Sequence, residues 1–345
     1  MPRPVSSSPH PPTDLVLDGA VRARAGVNFA LIKYWGKAPA RGPLDANLPA
    51  VPSLSLTLDD PWTEVTVRLA PEQPTDTMIV DGVPLDAGGM RRVVAVLDRV
   101  RQLADLEAPF AATSTSRVPM AAGLASSASS MAALAAAASR CAGLGPGTDR
   151  AASELARLGS GSASRSVFGG WVTWEGRAAE PLAAPDHMDV AMVIALVDAG
   201  RKAISSREAM NRTAATSPLY EGWVRQARGT FDEAVAAVRG RDLGGLIAAM
   251  EASTYRMHAS AMGARPPILY WRPASLAVVR AVEALRADGL TVGWTMDAGP
   301  NVKVLCRAED AESVAGRVAS IDGVSRMLVS RPGAGVAVRL VSEQP

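Results

Sequence analysis

Residues 119–145 read PMAAGLASSASSMAALAAAASRCAGLG: a small-residue loop, then an alanine-rich helix that Gly143 or Gly145 stops. Glycine and alanine let a backbone approach a ligand closely. Ser126, Ser127, Ser129 and Ser130 add hydroxyls where the helix begins. A helix start offers free N–H groups and the positive end of a dipole, which suits phosphate. The stretch lacks the Gly-Lys-Ser/Thr ending of a Walker A loop. The alternative is a tightly packed helix start in an alanine-rich protein. A cap needs one serine and four are present, which favours phosphate binding.

Outward from this stretch, strands and helices mix in both halves of the chain. Residues 15–32 read as strands, and SLSLTLD at 53–59 and TEVTVRL at 63–69 alternate with period two, as two half-buried strands do. MRRVVAVLDRVRQLADL at 90–106 has helical apolar spacing with arginines on its polar face. ATSTSRV at 112–118 is a polar strand, 149–159 a short helix, and FGGWVTWEG at 168–176 a strand. EPLAAPDHMD at 180–189 is Pro-rich and polar and marks a domain boundary. Beyond it come a buried strand at 190–198 and helical patterns near 216–240, 243–262 and 273–288. Strands near 291–297 and 301–306, a helix near 309–320 and two strands complete the chain. The expected class is α+β, with a disordered tail at 1–14, a first domain at 15–186 and a second at 187–345.

Length and composition narrow the function. A chain of 345 residues with 48% apolar and 20% charged residues is long enough for two well-filled cores. A net charge of +2 gives no argument for a nucleic-acid partner. Cys141 and Cys306 lack metal-ligand spacing, and His10, His187 and His258 are too scattered for a metal cluster. No disulfide framework is indicated, so a reducing cytoplasm is the expected compartment. MPRPVSSSPHPPTD lacks the apolar core of a signal peptide. MVIALV at 192–197 is far too short to span a bilayer, so no membrane partner is expected.

Among 36 basic residues only four are lysines: Lys33, Lys37, Lys202 and Lys303. Two of them sit in IKYWGK at 32–37, around Tyr34, Trp35 and Gly36. A lysine is a compact point charge and an arginine a planar fork, so the choice suggests a site that needs ammonium groups. A strand end with an aromatic anchor and two solvated charges fits the spacing equally. GSGSASRS at 159–166 puts Ser160, Ser162 and Ser164 on one side of an extended segment beside Arg165, which could grip an anion bidentately. Taken alone, a flexible loop with a solvated arginine is the better reading. In MDAGPN at 296–301, Asp297 follows an apolar strand and precedes a Gly-Pro turn. Taken alone it is a turn former, although a catalytic base in a cleft would sit there too.

Six segments together resemble the mevalonate diphosphate decarboxylases, a branch of the GHMP kinase superfamily. They are VNFALIKYWGK at 27–37, PMAAGLASSAS at 119–129, GSGSASRSVFGGWVTW at 159–174, AMNRTAATSPLY at 209–220, MHASAMGARPPILYW at 257–271 and TMDAGPN at 295–301, in the family's order. The resemblance implies a two-domain α+β fold, with a ribosomal-protein-S5-like first domain containing a left-handed βαβ unit and a ferredoxin-like second domain. The active site would lie in the cleft between them. It implies ATP-dependent phosphorylation of a tertiary 3-hydroxyl, loss of that phosphate and release of CO2 to give an isopentenyl product. Carried over by residue, Asp297 orients or deprotonates the hydroxyl, Lys33 lies beside it, and Arg165 holds the substrate carboxylate. Ser160 and Ser162 contact substrate, and Tyr34, Lys37 and Arg212 surround its distal phosphate end. Ser126 and Ser127, with Gly123, Leu124 and Ala125, form the ATP phosphate loop, and Mg2+ accompanies ATP. His258 becomes a packing residue. A homodimer is implied as well.

Two departures bear on the substrate. Ala38 and Pro39 follow Lys37, and Ala50, Val51 and Pro52 stand where the family has polar groups. They thin the contacts expected for a diphosphate, so mevalonate 5-phosphate, or another 3-hydroxy acid, stays open beside mevalonate 5-diphosphate. Arg41 in PARGPLDA at 39–46 is a candidate to compensate. A kinase that stops at the 3-phosphate would not need Asp297, Lys33 and Arg165 together. A catalytically silent nucleotide sensor on the same fold would show damaged positions, and none is visible.

Overall fold

The fold follows from where apolar alternation gives way to continuous apolar runs. A computed structural model describes residues 19–117, 126–197 and 204–341; the N-terminal stretch read as a tail lies outside them. Strand β1 (Ala20–Ile32) alternates at first, burying Val21, Ala23 and Ala25, and is buried throughout from Phe29 onward. It pairs antiparallel with β2 (Ser53–Leu69). The two strands expected at 53–59 and 63–69 are thus one strand. Residues 58–61 pass as a bulge opposite Val27, where the register shifts, rather than as a turn.

β3 (Thr77–Val80), β4 (Val83–Pro84), α1 (Ala87–Ala104) and β5 (Phe110–Ser116) follow. α1 is capped by Asp86, which accepts from the Gly89 N–H at 2.6 Å. α2 (Ser126–Cys141) lies against β1 and β2 with Ala132, Ala133, Leu134 and the alanines at 135–138 completely buried; its many small side chains let it sit close. α3 (Arg150–Gly159) begins at the Asp149 cap. α4 (Ala163–Ser166) is a single turn, and β6 (Trp171–Trp174) and β7 (Ala179–Ala183) complete this part. β8 (Val190–Leu196) opens the second half, followed by helices α5 (Ser206–Thr216), α6 (Tyr220–Arg239), α7 (Leu243–Met262) and α8 (Pro273–Ala287). β9 (Val292–Met296), β10 (Val302–Arg307), α9 (Ala311–Ala319), β11 (Arg326–Ser330) and β12 (Ala337–Val341) end the described chain.

Two sheets result. The first has the order β12-β1-β2-β5-β3-β4, with β6 and β7 continuing from β2. The second is antiparallel, β11-β8-β10-β9. The expected division at 186/187 falls in a short turn between β7 and β8, and β12 crosses back to pair with β1. One apolar core lies between the first sheet and α1 to α3, and another between the second sheet and α8 and α9. A third joins the halves: Phe29, Leu54 and Trp171 meet Met192, Ile194 and Leu305 with α6 and α7. This joint fixes the cleft between the sheets.

Candidate active site

The cleft has a volume of about 670 Å3, within the range of small-molecule sites. Met78, Val80 and Leu85 give it apolar surface, Ser127 and Ser130 bring hydroxyls from the first turns of α2, and Lys33, Lys37, Arg92, Arg165 and Arg207 bring cations.

Lys33 stands where β1 ends. Its side chain is 2% exposed, and Nζ donates to Asp297 Oδ1 at 2.8 Å and to the Ala30 carbonyl at 2.9 Å. Its backbone N–H donates to Ser253 Oγ on α7 at 3.0 Å, tying the strand end to the second half. Asp297 follows β9 and keeps about 30% of its side chain exposed to the cleft. Its second oxygen, Oδ2, is 3.1 Å from Lys303 Nζ. Burial alone would raise the Asp297 pKa; the ammonium groups of Lys303 and Lys33 override it and hold the carboxyl well below the usual carboxylate range. Burial pushes Lys33 down to about 8, with Asp297 opposing.

Arg165, on α4, is equally buried. Nη1 donates to Ser53 Oγ at 2.8 Å and Nε to Asn28 Oδ1 at 3.1 Å. Asn28 in turn donates to the Ser162 carbonyl at 3.0 Å and to Ser166 Oγ at 2.7 Å. It lies just past Val27, opposite the β2 bulge where the strand register shifts. Burial lowers the Arg165 pKa to about 10, still cationic at neutral pH. The segment is therefore neither a flexible loop nor an extended run of alternate serines. Its carbonyls at 160–162 accept the turn bonds of residues 163–165. Ser160 and Ser162 are left at the cleft, while Ser164 and Ser166 are buried. Gly161 is required because a Cβ there would come within 2.7 Å of the Tyr34 hydroxyl.

Tyr34 packs edge-on against Trp174 at 4.8 Å between ring centroids, and burial raises its pKa. Gly36 takes φ +112°, and a Cβ would collide with the Tyr220 hydroxyl, so only glycine fits between Trp35 and Lys37. Lys37 Nζ donates to Asn47 Oδ1 at 2.7 Å. Asn47 Nδ2 is anchored on the carbonyls of Arg157 and Leu158 at 2.9 and 3.0 Å. Burial, with Arg207 adding to it, pushes Lys37 down to about 8.

Asp297, Lys33, Arg165, Tyr34, Lys37, Ser160, Ser162 and Ser127 all line this cleft. Arg212 does not: it pairs with Glu208 one turn back on α5 at 2.9 Å, and Arg207, at the start of that helix, faces the cleft instead. Arg41 is exposed, away from the lining. Ser127, Ser129 and Ser130 of α2 do not converge, because a helix spreads neighbours around its axis. Ser127 and Ser130 face the cleft while Ser129 is buried against Thr63 Oγ1 at 2.8 Å. Gly123, Leu124 and Ala125 lie outside the described residues, as does the side chain of Ser126. His258 is buried, its ring edge-on to Tyr270 and Trp271 and its Nε2 3.3 Å from the Met296 carbonyl. Residues 50–52 are not in the cleft wall; Val51 packs with Trp35, Met210 and Trp223. Sequence reasoning missed Lys303, Asn28, Asn47, Ser53 and Arg207. Lys303 carried a signal, being one of four lysines in an arginine-rich chain.

Comparison with known proteins gives a consistent result. Residues 25–181 match the diphosphomevalonate decarboxylase-like N-terminal domain, and residues 192–329 match the mevalonate 5-diphosphate decarboxylase C-terminal domain. The diphosphomevalonate decarboxylase mvd1 of Aspergillus fumigatus is 35% identical over 329 residues, 87% of this chain and 80% of its own length. A solved complex of MDDEF with MVAPP, AMPPCP and magnesium superposes with a TM-score of 0.85 at 38% identity, covering 94% of this chain and 99% of that one. The mevalonate diphosphate decarboxylase of Staphylococcus aureus superposes with a TM-score of 0.86 at 33% identity, covering 93% and 98%.

Proposed function

The chain belongs to the diphosphomevalonate decarboxylase family, and we propose that it converts mevalonate 5-diphosphate and ATP to isopentenyl diphosphate, ADP, phosphate and CO2. The observation that carries this reading is Asp297, ionised and held at Lys33, facing the same cleft as the buried cation Arg165. A carboxylate fixed beside an ammonium orients a hydroxyl for in-line attack. A second, separate cation is what a substrate carboxylate needs.

Asp297 accepts a hydrogen bond from the 3-hydroxyl and aims its oxygen at the terminal phosphoryl group of ATP; as the new O–P bond forms, ADP leaves and the hydroxyl proton passes by way of Asp297 to the transferred phosphoryl oxygens. Lys33 neutralises the charge that develops there. Arg165, steadied by Asn28 and Ser53, holds the substrate carboxylate, with Ser160 and Ser162 beside it. When the 3-phosphate departs, positive charge develops at C3, and the carboxylate pinned by Arg165 loses CO2 as the double bond forms. Lys37, Tyr34 and Arg207 surround the 5-diphosphate. The dipole and hydroxyls at the start of α2, Ser127 and Ser130, receive the ATP phosphates, and Met78, Val80 and Leu85 offer apolar surface to the base. No three His, Cys, Asp or Glu residues cluster for a metal among the described residues. Ser127 and Ser130, hydroxyls on the cleft wall, would supply protein oxygens to a magnesium ion held mainly by ATP phosphates and water. When bound, it offsets phosphate charge during transfer.

The packing of Val51 away from the cleft and the cations Lys37 and Arg207 favour a diphosphate over a monophosphate. The turn at 186/187 divides an ATP-binding first domain from a second domain closing the cleft in this reading, with β12 returning to the first sheet. The two buried free thiols, Cys141 and Cys306, are in keeping with a cytoplasmic protein; among the described residues no helix is long and apolar enough to cross a membrane. Family resemblance supports a homodimer, which solution mass measurement checks. The test of the reading is Asp297→Asn: ATP binding is kept while kcat falls by roughly three or more decades, the scale of losing a central catalytic group. Near-normal turnover would remove Asp297 from its role.

A further inference from the structure

Lys303 lies on β10, a central strand of the second sheet, opposite Thr295 on β9 and Ile194 on β8. Its neighbours Val302 and Val304 face the core under α8 and α9. Lys303 faces the other way, on the same side as Leu305, whose core is the one joining the two halves. Only 2% of its side chain is exposed, and it is not part of the cleft wall. A leucine or methionine would be the ordinary occupant of such a position. Burying an ammonium there costs several kcal/mol unless good partners offset it. Its partners are Asp297 Oδ2 at 3.1 Å, the Asn301 carbonyl at 3.3 Å and the face of Phe29, 4.9 Å from the ring centroid.

Asp297 is therefore held by one ammonium per oxygen, and the two are not equivalent. Lys33 lines the cleft; Lys303 is behind it. We infer that Lys303 is a positioning residue for Asp297: from the dry side it fixes one carboxylate oxygen, so that Lys33 is free to turn toward the transferring phosphoryl group without releasing the carboxylate. With Lys33 as the sole partner, its movement to the phosphoryl oxygens would leave a mostly buried carboxylate uncompensated, at the moment when its orientation matters. The other titratable or cationic groups facing Asp297 are Lys33, Arg165 from α4 and His258 from α7. Neither Arg165 nor His258 bonds the carboxylate, and burial keeps His258 neutral.

The inference rests on the decarboxylase reading, and its test separates the two. Lys303→Met replaces the ammonium with an apolar chain of similar length, and Lys303→Gln keeps a polar end without charge should the first variant not fold. Removing one cation raises the Asp297 pKa, so the carboxylate is lost at higher pH. In the unaltered protein the carboxyl stays ionised well below the usual carboxylate range and sets no acid limb near neutral pH. In the variant an acid limb in kcat for ATP-dependent CO2 release should rise into the range of an ordinary buried carboxyl, with kcat at pH 7 roughly ten-fold lower and KM for both substrates within about two-fold. A merely structural role would lower activity without moving that limb. Carbon NMR of γ-labelled aspartate, with the Asp297 signal assigned by its loss in Asp297→Asn, reads the same shift without turnover. An unmoved acid limb, or an Asp297 signal titrating as in the unaltered protein, overturns the inference. If the unaltered protein releases no CO2, the decarboxylase reading fails, and the NMR titration still decides the role of Lys303.

Discussion

Arg165 donates to Ser53 Oγ at 2.8 Å, joining a helical turn after α3 to the first residue of β2. Both residues are buried, and among the described residues no carboxylate pairs with Arg165 within 4.0 Å. A buried cation without its own counter-ion is a ready site for a substrate anion. Arg165→Lys should fail to rescue it. A lysine cannot reach Ser53 and Asn28 together, and its single ammonium lacks the planar fork that grips a carboxylate with two parallel bonds. We expect kcat to fall roughly 100-fold or more in steady-state assays. Ser53→Ala, which removes one steadying bond, should cost about ten-fold or less.

Lys37 and Lys33 are both pushed down to about 8 by burial. Each is cationic below that value and loses its charge as pH rises through it. For the free enzyme, kcat/KM for mevalonate diphosphate should therefore decline above about pH 8. Bound phosphate favours the ammonium form, so the alkaline limb of kcat should lie higher than that of kcat/KM. Lys37→Arg, charged at all these pH values, should flatten the decline in kcat/KM. An unchanged limb in that variant would detach Lys37 from it.

Asn47 joins Lys37 to the C-terminal turn of α3, which leads directly into Ser160. Asn47→Ala frees the ammonium and unties the loop. We expect KM for the diphosphate substrate to rise about ten-fold with kcat nearly kept, as removal of uniform binding predicts, measurable by varying that substrate at saturating ATP.

The parts of this molecule that declare themselves in sequence are those governed by short-range pattern. α7 and α8 follow from apolar spacing, and the small-residue helix α2 from its composition. β2 was harder: Asp59, Asp60 and Pro61 look like a turn, and only pairing with β1 shows that the chain carries on through a bulge. Gly161 and Ser162 defeat the alternation rule for a similar reason, since the fold of 159–166 depends on Asn28, more than 130 residues away. Asp297, Lys33 and Arg165 were legible through motifs in order. Lys303 was not, because its meaning lies in a cross-strand position and a distance to Asp297. Arg212, matched by motif, pairs with Glu208 on its own helix and is not in the cleft wall.

His258 supplies a stability test. Its buried ring has a pKa pushed from 6.5 down to about 3, by burial first and Lys33 second. The unfolded chain takes up a proton below about pH 6.5, and the folded one does not until about pH 3. Stability should therefore fall with decreasing pH through this window, by at most about 1.4 kcal/mol per pH unit from this residue. Urea unfolding between pH 7 and pH 4 should show a shallower loss in His258→Phe than in the unaltered protein. Equal slopes would mean that His258 is not held neutral.

The most direct test of the whole account is product stoichiometry with purified protein, ATP and magnesium, comparing mevalonate 5-diphosphate with mevalonate 5-phosphate. With the diphosphate, CO2, ADP and inorganic phosphate should appear in equal amounts, and the monophosphate should react far more slowly. ADP formed without CO2 would mark a kinase that stops at the 3-phosphate. ATP bound with no turnover of either compound would contradict the assignment of this cleft to decarboxylation.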